Sequence, residues 1–436
     1  MAWIVILTAG FAALAGAGLA YVLGAAAIGS FLLNGLDRYL AGLPQHFFAQ
    51  VDSFTFLAMP LFILAGEVMT RGGVTRALVD LALLIAGRMP GGLGHVNVAA
   101  SVFLAGISGS GVADAAALSK TFVPEMEQRG YSRVYAGALT AAASVIGPII
   151  PPSIILVFYG AMMGVSVPAL FAAGFIPGLL LAGALMATNA VFAWRLGHPA
   201  SPTPPSRWPV VAKAAPALAL PVVILGGIVF GWVTPTEAAA LAVAAALAVS
   251  ILYTVLEGAP MRAALSIELA RFVQALIHTA VVSGAIFAIV FAAGAFEYFL
   301  ALIGLPKLFA EAVAGLGLSL PGYLAFLTAA LLIAGTVMEA PMALVLLVPV
   351  LVPPAIALGA NPIHLGTIIC FNLSLGLISP PVGGSLMAVS AVARVPFGRL
   401  SLAILPFFFV EVAVLGALVY WPDIVLVGPR LANLIS

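Results

Sequence analysis

The chain has 436 residues, of which 64% are hydrophobic and 7% charged, and its formal net charge is +1. Soluble globular proteins carry charge at roughly a quarter of their positions, so that class is excluded, and a balance this close to neutral gives no electrostatic handle for nucleic acid. The single cysteine, Cys370, excludes an internal disulfide.

Taken in chain order, Met1–Leu36 is apolar, without a basic start or a clear small-residue cleavage site. It reads as membrane-embedded, in one tilted crossing or two short ones broken near Ala15–Gly18. Val51–Thr70 is a crossing of about the ~20 residues a bilayer requires. An amphipathic stretch, Val74–Met89, follows. Gly94–Glu127 reads as a hairpin entering and leaving on one side, its apolar run interrupted at Gly106-Ile107-Ser108-Gly109-Ser110-Gly111 with Asp114 one turn on. Val134–Val165 is a crossing broken in mid-span by Gly147-Pro148-Ile149-Ile150-Pro151-Pro152-Ser153. Pro168–Trp194, Pro216–Trp232, Glu237–Leu256 and Phe272–Ala295 are continuous crossings, with His198–Arg207 the longest polar linker and Arg262–Arg271 a basic loop. A second amphipathic stretch, Leu300–Leu318, leads to a second hairpin near 321–358, whose tip is Gly335-Thr336-Val337-Met338-Glu339-Ala340-Pro341. The segment 363–393 is broken at Gly376-Leu377-Ile378-Ser379-Pro380-Pro381-Val382-Gly383, and Leu400–Tyr420 is the last crossing.

The second half repeats the first. Shifted by 229 positions, residues 105–153 make 11 identities with 334–382, and seven of these are Gly or Pro. Chance coincidence in so apolar a chain would fall on Ala, Leu and Val. Gly106, Gly130, Gly137 and Gly147 meet Gly335, Gly359, Gly366 and Gly376, and Pro151-Pro152 meets Pro380-Pro381. Duplicated breakers in a hydrophobic chain point to a transporter and to its binding site. Positive charge in short loops favours the cytoplasmic side. The basic loops Arg71–Arg88, Arg129–Arg133, Arg195–Lys213, Arg262–Arg271 and Arg394–Arg399 all fall on one side if the two copies run with opposite topology. Gly231–Thr236, Ser319–Gly322 and Gly359–Pro362, which lack Lys and Arg, fall on the other. The expected fold is therefore an all-α polytopic inverted repeat, with two re-entrant hairpins and two broken helices.

Irregular backbone at membrane depth persists only where protein buries it or a polar cavity faces it. A double proline removes two donors and frees the carbonyls one turn earlier, glycine permits the tight turn, and Ser or Thr adds hydroxyl oxygens. Free carbonyls and hydroxyls with few charges suit a small hard monovalent cation such as sodium. The half-helix N-termini that restart after each break favour an anionic group such as a carboxylate. Asp114 and Glu339 are acids embedded in the tips, and each reads as an ion-coupling residue or as a helix cap. Asn372 reads as a packing residue.

Gly106-Ile-Ser-Gly-Ser-Gly-Val-Ala-Asp114, Ile146-Gly-Pro-Ile-Ile-Pro-Pro-Ser153 and Gly376-Leu-Ile-Ser-Pro-Pro-Val-Gly383 resemble the signatures of the large membrane subunit of the TRAP transporters, the tripartite ATP-independent periplasmic transporters of bacteria and archaea. The Leu-Ala-Met-Pro-Leu-Phe-Ile-Leu-Ala-Gly stretch ending at Gly66, Gly130-Tyr131 and Phe175-Ile-Pro-Gly178 extend the likeness over about residues 1–420. The resemblance implies an ion-transporter-type fold and an elevator mechanism in the bacterial or archaeal cytoplasmic membrane. It implies scaffold segments at 1–90, 166–318 and 394–436 and transport repeats at 91–165 and 319–393. It also implies sodium-driven import of a small organic acid (a dicarboxylate, a sialic-acid-like or related carboxylate) delivered by a periplasmic binding protein. A small four-helix membrane subunit is expected as a separate chain, Na+ as the coupling ion, and no covalent cofactor.

By position, the resemblance places one sodium among Ser108, Gly109, Ser110, Gly147, Pro148 and Ile149. A second falls among Gly335, Thr336, Val337, Gly376, Ile378 and Ser379. Substrate is expected against Ser110, Pro151, Pro152, Ser153, Glu339, Pro380, Pro381, Val382 and Gly383. One competing reading is a one-component sodium–carboxylate symporter of similar fold. Another is an intramembrane serine protease with Ser108, in Gly106-Ile107-Ser108-Gly109, as nucleophile; it needs a histidine base, and only His278 lies well inside an apolar segment.

Overall fold

The computed structural model describes residues 19–51, 54–200 and 207–435. The start of the Met1–Leu36 segment, residues 52–53 of the first long crossing and 201–206 of the polar linker lie outside the described residues. Helix α1 is Leu19–Leu33, a 3-10 turn covers Asp37–Gly42, and α2 is Leu43–Val51. Then come α3, Phe54–Arg71, and α4, Val74–Ala86. The first hairpin is α5, Gly92–Ser108, with α6, Gly111–Gln128; α7, Arg133–Ser144, and α8, Ile154–Met163, flank the first break. Long helices follow: α9, Val167–Leu196; α10, Arg207–Val229; α11, Pro235–Leu256; and α12, Met261–Leu302. After α13, Leu305–Gly315, the second hairpin is α14, Leu320–Gly335, with α15, Ala340–Ala357. The second break lies between α16, Pro362–Gly376, and α17, Gly384–Ala393, and the chain finishes with α18, Phe397–Ala403, α19, Leu405–Tyr420, and α20, Pro422–Leu431.

Among the described residues, five helices are long and apolar enough to cross a membrane: α9, α10, α11, α12 and α15. The pair α18 and α19, bent by 47°, makes a sixth if counted as one span. Helices α5, α8, α14, α16 and α17 are apolar but only 10–17 residues long, too short to cross singly. The chain is thus a multi-pass membrane protein. The duplication carries through to the elements: the bounds of α15, 340 and 357, are those of α6, 111 and 128, each plus 229. Helices α16 and α17 begin at 362 and 384, against 133 and 154 for α7 and α8.

Local sequence explains many of the boundaries. Ser132, Ser153 and Ser166 cap α7, α8 and α9 by accepting from the backbone N–H three residues on. Thr234 and Glu237 form a reciprocal capping box on α11, and Asn361 caps α16 through the N–H groups of Ile363 and His364. Helix α4 buries the stripe Val74, Ala77, Leu78, Leu81 and Ala82, as an amphipathic arm should. Helix α13 buries only Val313, and its Lys307 and Glu311 stay outside, 3.9 Å apart.

One boundary differs from expectation. Arg262–Arg271 is not a loop but the first turns of α12, a single helix of 42 residues and therefore about 63 Å long. The segment contains no Gly or Pro and is rich in Ala, Leu and Arg, so basic residues sit on a helix that simply continues. Glu268 is buried there, held by Thr254 Oγ1 at 2.7 Å and by Arg271 Nη1 at 2.5 Å.

Helices α3 and α11 pack together, α12 runs beside α1, α3 and α15, and α6 lies between α7 and α17. One contiguous apolar core joins these elements. The two hairpin tips consequently face α3 and α12 across a shared space.

Candidate functional site

At the first tip, α5 ends at Ser108 because Gly109 takes a left-handed φ of 59°, a conformation suited to glycine. Ser110 is extended and caps α6, accepting from the Ala113 N–H at 3.4 Å. Ser108 Oγ donates to Asp114 Oδ1 at 2.6 Å. Asp114 is 3% exposed, and its Oδ2 is buried with no hydrogen-bond partner. A Cβ on Gly147 would stand 2.4 Å from that oxygen, so glycine at the first break makes room for the carboxylate. The tip, the acid and the break thus meet at one point.

Within the first break, the Pro148 carbonyl accepts from the Ser153 hydroxyl and from Cys370 Sγ at 3.1 Å. Ser153 Oγ also accepts from the Leu156 N–H at 3.3 Å. The double proline removes donors, and these two side chains take up one of the freed acceptors. Both Pro151-Pro152 and Pro380-Pro381 peptide bonds are cis. Gly174 and Gly178 of α9 cradle the first break: Cβ atoms there would stand 2.5 Å from Ile149 O and 2.2 Å from Ile150 Cγ1.

The second break differs in chemistry. Gly335 and Gly376 bring α14 and α16 into backbone contact, and a Cβ on Gly376 would lie 2.5 Å from Gly335 C and O. Leu377 O accepts from the Ser385 N–H at 2.9 Å across the break, and Gly383 has a left-handed φ of 52°. Thr336 Oγ1 donates back to Ile333 O at 2.7 Å. Glu339 opens α15 without capping it through its side chain. Asn372 Nδ2 donates to Thr328 O at 2.9 Å and ties α16 to α14, which is a packing role. Where the first half has Asp114 the second has Ala343, so no acid lies behind this tip.

Both tips open on one cavity of about 780 Å³, large enough for a small organic acid. Of the residues expected around the first sodium, Ser108, Gly109, Ser110 and Pro148 line it; Gly147 and Ile149 lie buried outside the wall. Of the second set, Gly335, Thr336 and Val337 line it, while Gly376, Ile378 and Ser379 do not. Of the substrate set, Ser110, Glu339, Val382 and Gly383 line it. Pro151, Pro152, Ser153, Pro380 and Pro381 stand outside the wall, and the Ser153 hydroxyl is occupied by its capping role.

The opposite wall contains groups that the pattern of breaks did not point to. Glu67 and Thr70 of α3 and His278 of α12 line the cavity. His278 Nδ1 lies 3.0 Å from Glu67 Oε1, Arg71 Nε lies 3.0 Å from Glu67 Oε2, and Arg71 Nη1 donates to Gln274 Oε1 at 3.1 Å. The signal available in the sequence was an acid and a lone histidine inside two apolar runs.

The family model for the tripartite ATP-independent periplasmic transporter, DctM component, matches residues 4–424. The sialic acid TRAP transporter large permease protein SiaM of Vibrio cholerae is 36% identical over 389 residues, covering 89% of each chain. The C4-dicarboxylate TRAP transporter large permease protein DctM of Pseudomonas aeruginosa is 36% identical over 386 residues, covering 88% of each. The isethionate TRAP transporter permease protein DctMQ of Oleidesulfovibrio alaskensis is 35% identical over 94% of this chain and 63% of its own length. Among solved structures, the YdaH transporter of Alcanivorax borkumensis superposes with a TM-score of 0.64 over 89% of each chain at 16% identity, a likeness of fold alone.

Proposed function

Because this chain belongs to the TRAP transporter family as its DctM component, the large permease, we propose that it imports a small organic acid by a sodium-driven elevator mechanism. As a permease component it is not an enzyme, and the protease reading falls with that membership; the Ser108 hydroxyl donates a hydrogen bond to Asp114 Oδ1. The relatives named for sialic acid and C4-dicarboxylates support a carboxylate cargo.

The two copies run with opposite topology. Their matched hairpins and breaks support this assignment, under which the basic segments 71–88, 129–133, 195–213 and 394–399 fall on one side. Segments 91–165 and 319–393 move as the transport unit, against a scaffold of 1–90, 166–318 and 394–436. The first sodium is held by the Ser108–Ser110 tip with Gly147–Ile149, and the second by Gly335–Val337 with Gly376, Ile378 and Ser379. The cargo carboxylate sits between the tips, at the positive N-terminal ends of α6 and α15. A small four-helix membrane subunit and a periplasmic binding protein complete the transporter in the bacterial or archaeal cytoplasmic membrane.

The observation that carries sodium coupling is the unpartnered, buried Oδ2 of Asp114 between tip and break. A carboxylate oxygen in that position calls for a cation or a proton, and we take the cation to be sodium. The test is uptake into proteoliposomes containing this chain with its small subunit and binding protein. Uptake is expected under an inward sodium gradient and not with choline in its place. Equal uptake under a proton gradient without sodium would contradict the proposal.

A further inference from the structure

We infer that the outer stripe of α6 lines a path from the cavity to the cytoplasmic face, and that Lys120 on it is a second, weaker site for the carboxylate of the cargo after it leaves the tips. The inference rests on the transport reading above and adds a station to it.

The stripe is defined by exposure. On one side α6 buries Asp114, Ala115, Leu118, Ser119, Phe122 and Val123. On the other, Ala113, Ala116, Ala117, Lys120, Thr121 and Pro124 are exposed or half-buried, down to Glu127 and Gln128 at the end of the helix. Ala113 and Ala116 line the cavity, and Lys120 stands one turn below Ala116 on the same face. Every side chain on this stripe is small or polar. A helix turned to lipid looks different: α9 exposes Phe175, Leu179, Leu180, Val191 and Trp194. Polar groups at membrane depth belong to a water-filled path.

The facing wall runs the same way. Ile63, Glu67 and Thr70 of α3 line the cavity in succession, and Thr70 lies in the last turn of that helix, beside Arg71 of the first basic segment. The cavity therefore reaches from the tips to the cytoplasmic end of α3. The second hairpin has no such opening. Its matching positions, 229 residues on, are Met342, Val345, Leu346, Pro349 and Val350, all apolar. Met342 and Val345 are buried, and α15 packs against α12. Of the two hairpins, the one with the open outer face is the one that has a lysine there, where its copy has Pro349.

Lys120 has no ion-pair or hydrogen-bond partner among the described residues. Its neighbours one turn away, Ala116, Ala117, Val123 and Pro124, include no acid. Glu125 and Glu127 are taken by Arg129 and Arg133 at 3.1 and 2.8 Å, and Glu67 across the path is held by Arg71 and His278. About 12 Å of helix separates Lys120 from Gln128, so the ammonium sits well inside the hairpin. A cation left unpaired there receives an anion, and a carboxylate is the anionic group the tips would release. The exposed charge is screened, so it binds weakly, as a station on a path must if the ligand is to move on.

The test measures thiol labelling of the purified full chain. Cys370 is buried, and the wild type is the blank. Ala116→Cys places a thiol one turn above Lys120, and its rates with the anionic sulfonatoethyl and the cationic trimethylammonioethyl methanethiosulfonates are compared at low ionic strength. Both reagents should react. The anionic-to-cationic ratio should fall at least about threefold in Lys120→Gln and hold in Lys120→Arg. Succinate, the probe carboxylate, should slow the anionic reagent more with Lys120 than with Gln at that position. Thr121→Cys gives the same comparison from the next residue if Ala116→Cys folds poorly. The proposal is overturned if neither thiol reacts with these water-soluble reagents, which would put the stripe against lipid. It is overturned equally if the ratio or the effect of succinate is the same with Lys and Gln. Loss of sodium dependence in proteoliposome uptake would overturn the transport reading instead, and the labelling result would stand apart from it.

Discussion

Ser108 Oγ and Asp114 Oδ1 stand 2.6 Å apart across the turn that ends one helix and begins the next. The bond orients a carboxylate whose other oxygen has no partner, and it does so where the broken helix supplies a glycine to receive it. The first half of the molecule therefore contains a buried acid behind its tip that the second half, with Ala343 at the matching place, does not.

Replacing Asp114 by Asn keeps the shape and removes the charge. Half-saturating sodium for transport should rise by at least tenfold. Ser108→Ala leaves the acid but unfixes it, and should raise the same quantity by several fold, the size of one net hydrogen bond of about 1 kcal/mol. Sodium dependence of uptake measures both, and an unchanged Asp114→Asn curve would remove the acid from the site.

Gly376→Ala should destabilise the chain by roughly 1–3 kcal/mol, the usual cost of forcing extra volume into a packed interior. Its Cβ would press on the Gly335 backbone, which no side-chain rotation can relieve. Gly284→Ala, where a Cβ meets nothing within 4 Å, is the control and should cost little. Thermal midpoints in detergent compare the two.

Asn189 is fully buried, donates to Gly91 O at 3.1 Å and accepts from Tyr135 Oη at 2.9 Å. It pins α9 to the starts of both α5 and α7. Asn189→Leu leaves the Tyr135 hydroxyl without its acceptor and takes one donor from Gly91 O, which keeps the N–H groups of Gly94 and His95, and should cost about 1–3 kcal/mol. A midpoint equal to wild type would show that neither bond matters.

His198 lies beyond the end of α9, against the rings of Tyr131 and Tyr135 at 4.2 and 4.8 Å. Burial disfavours its charged form and holds its pKa below the ordinary imidazole value. The unfolded chain then binds the proton more readily than the folded one, so stability falls as pH drops from about 6.5 through the lowered folded-state pKa. His198→Phe should flatten that part of the pH–stability curve, read as thermal midpoints between pH 7 and pH 5.

Both hairpins and both breaks were legible because Gly and Pro act locally: the segments 106–111 and 147–153, and their copies, announce their geometry by composition. The helical start of α12 was not legible, because the positive charge that suggests a loop to a membrane reader does not itself end a helix. The partners of Glu67 were hidden for another reason. His278 is more than 200 residues away along the chain, and only the packing of α3 on α12 brings the two together. The Ser153 hydroxyl looked available for cargo, but a serine preceding a helix is usually a cap, and its freedom depended on how the break closed.

The most direct test of the account is the thermal midpoint of the purified chain, titrated with sodium against choline at constant ionic strength, for wild type and Asp114→Asn. Binding to the folded state raises stability by mass action, by about 2.7 kcal/mol when the ion is at one hundred times its dissociation constant. The account predicts a saturable, sodium-specific rise in the wild type that is largely lost in Asp114→Asn. A wild-type midpoint that moves equally with sodium and choline would contradict it.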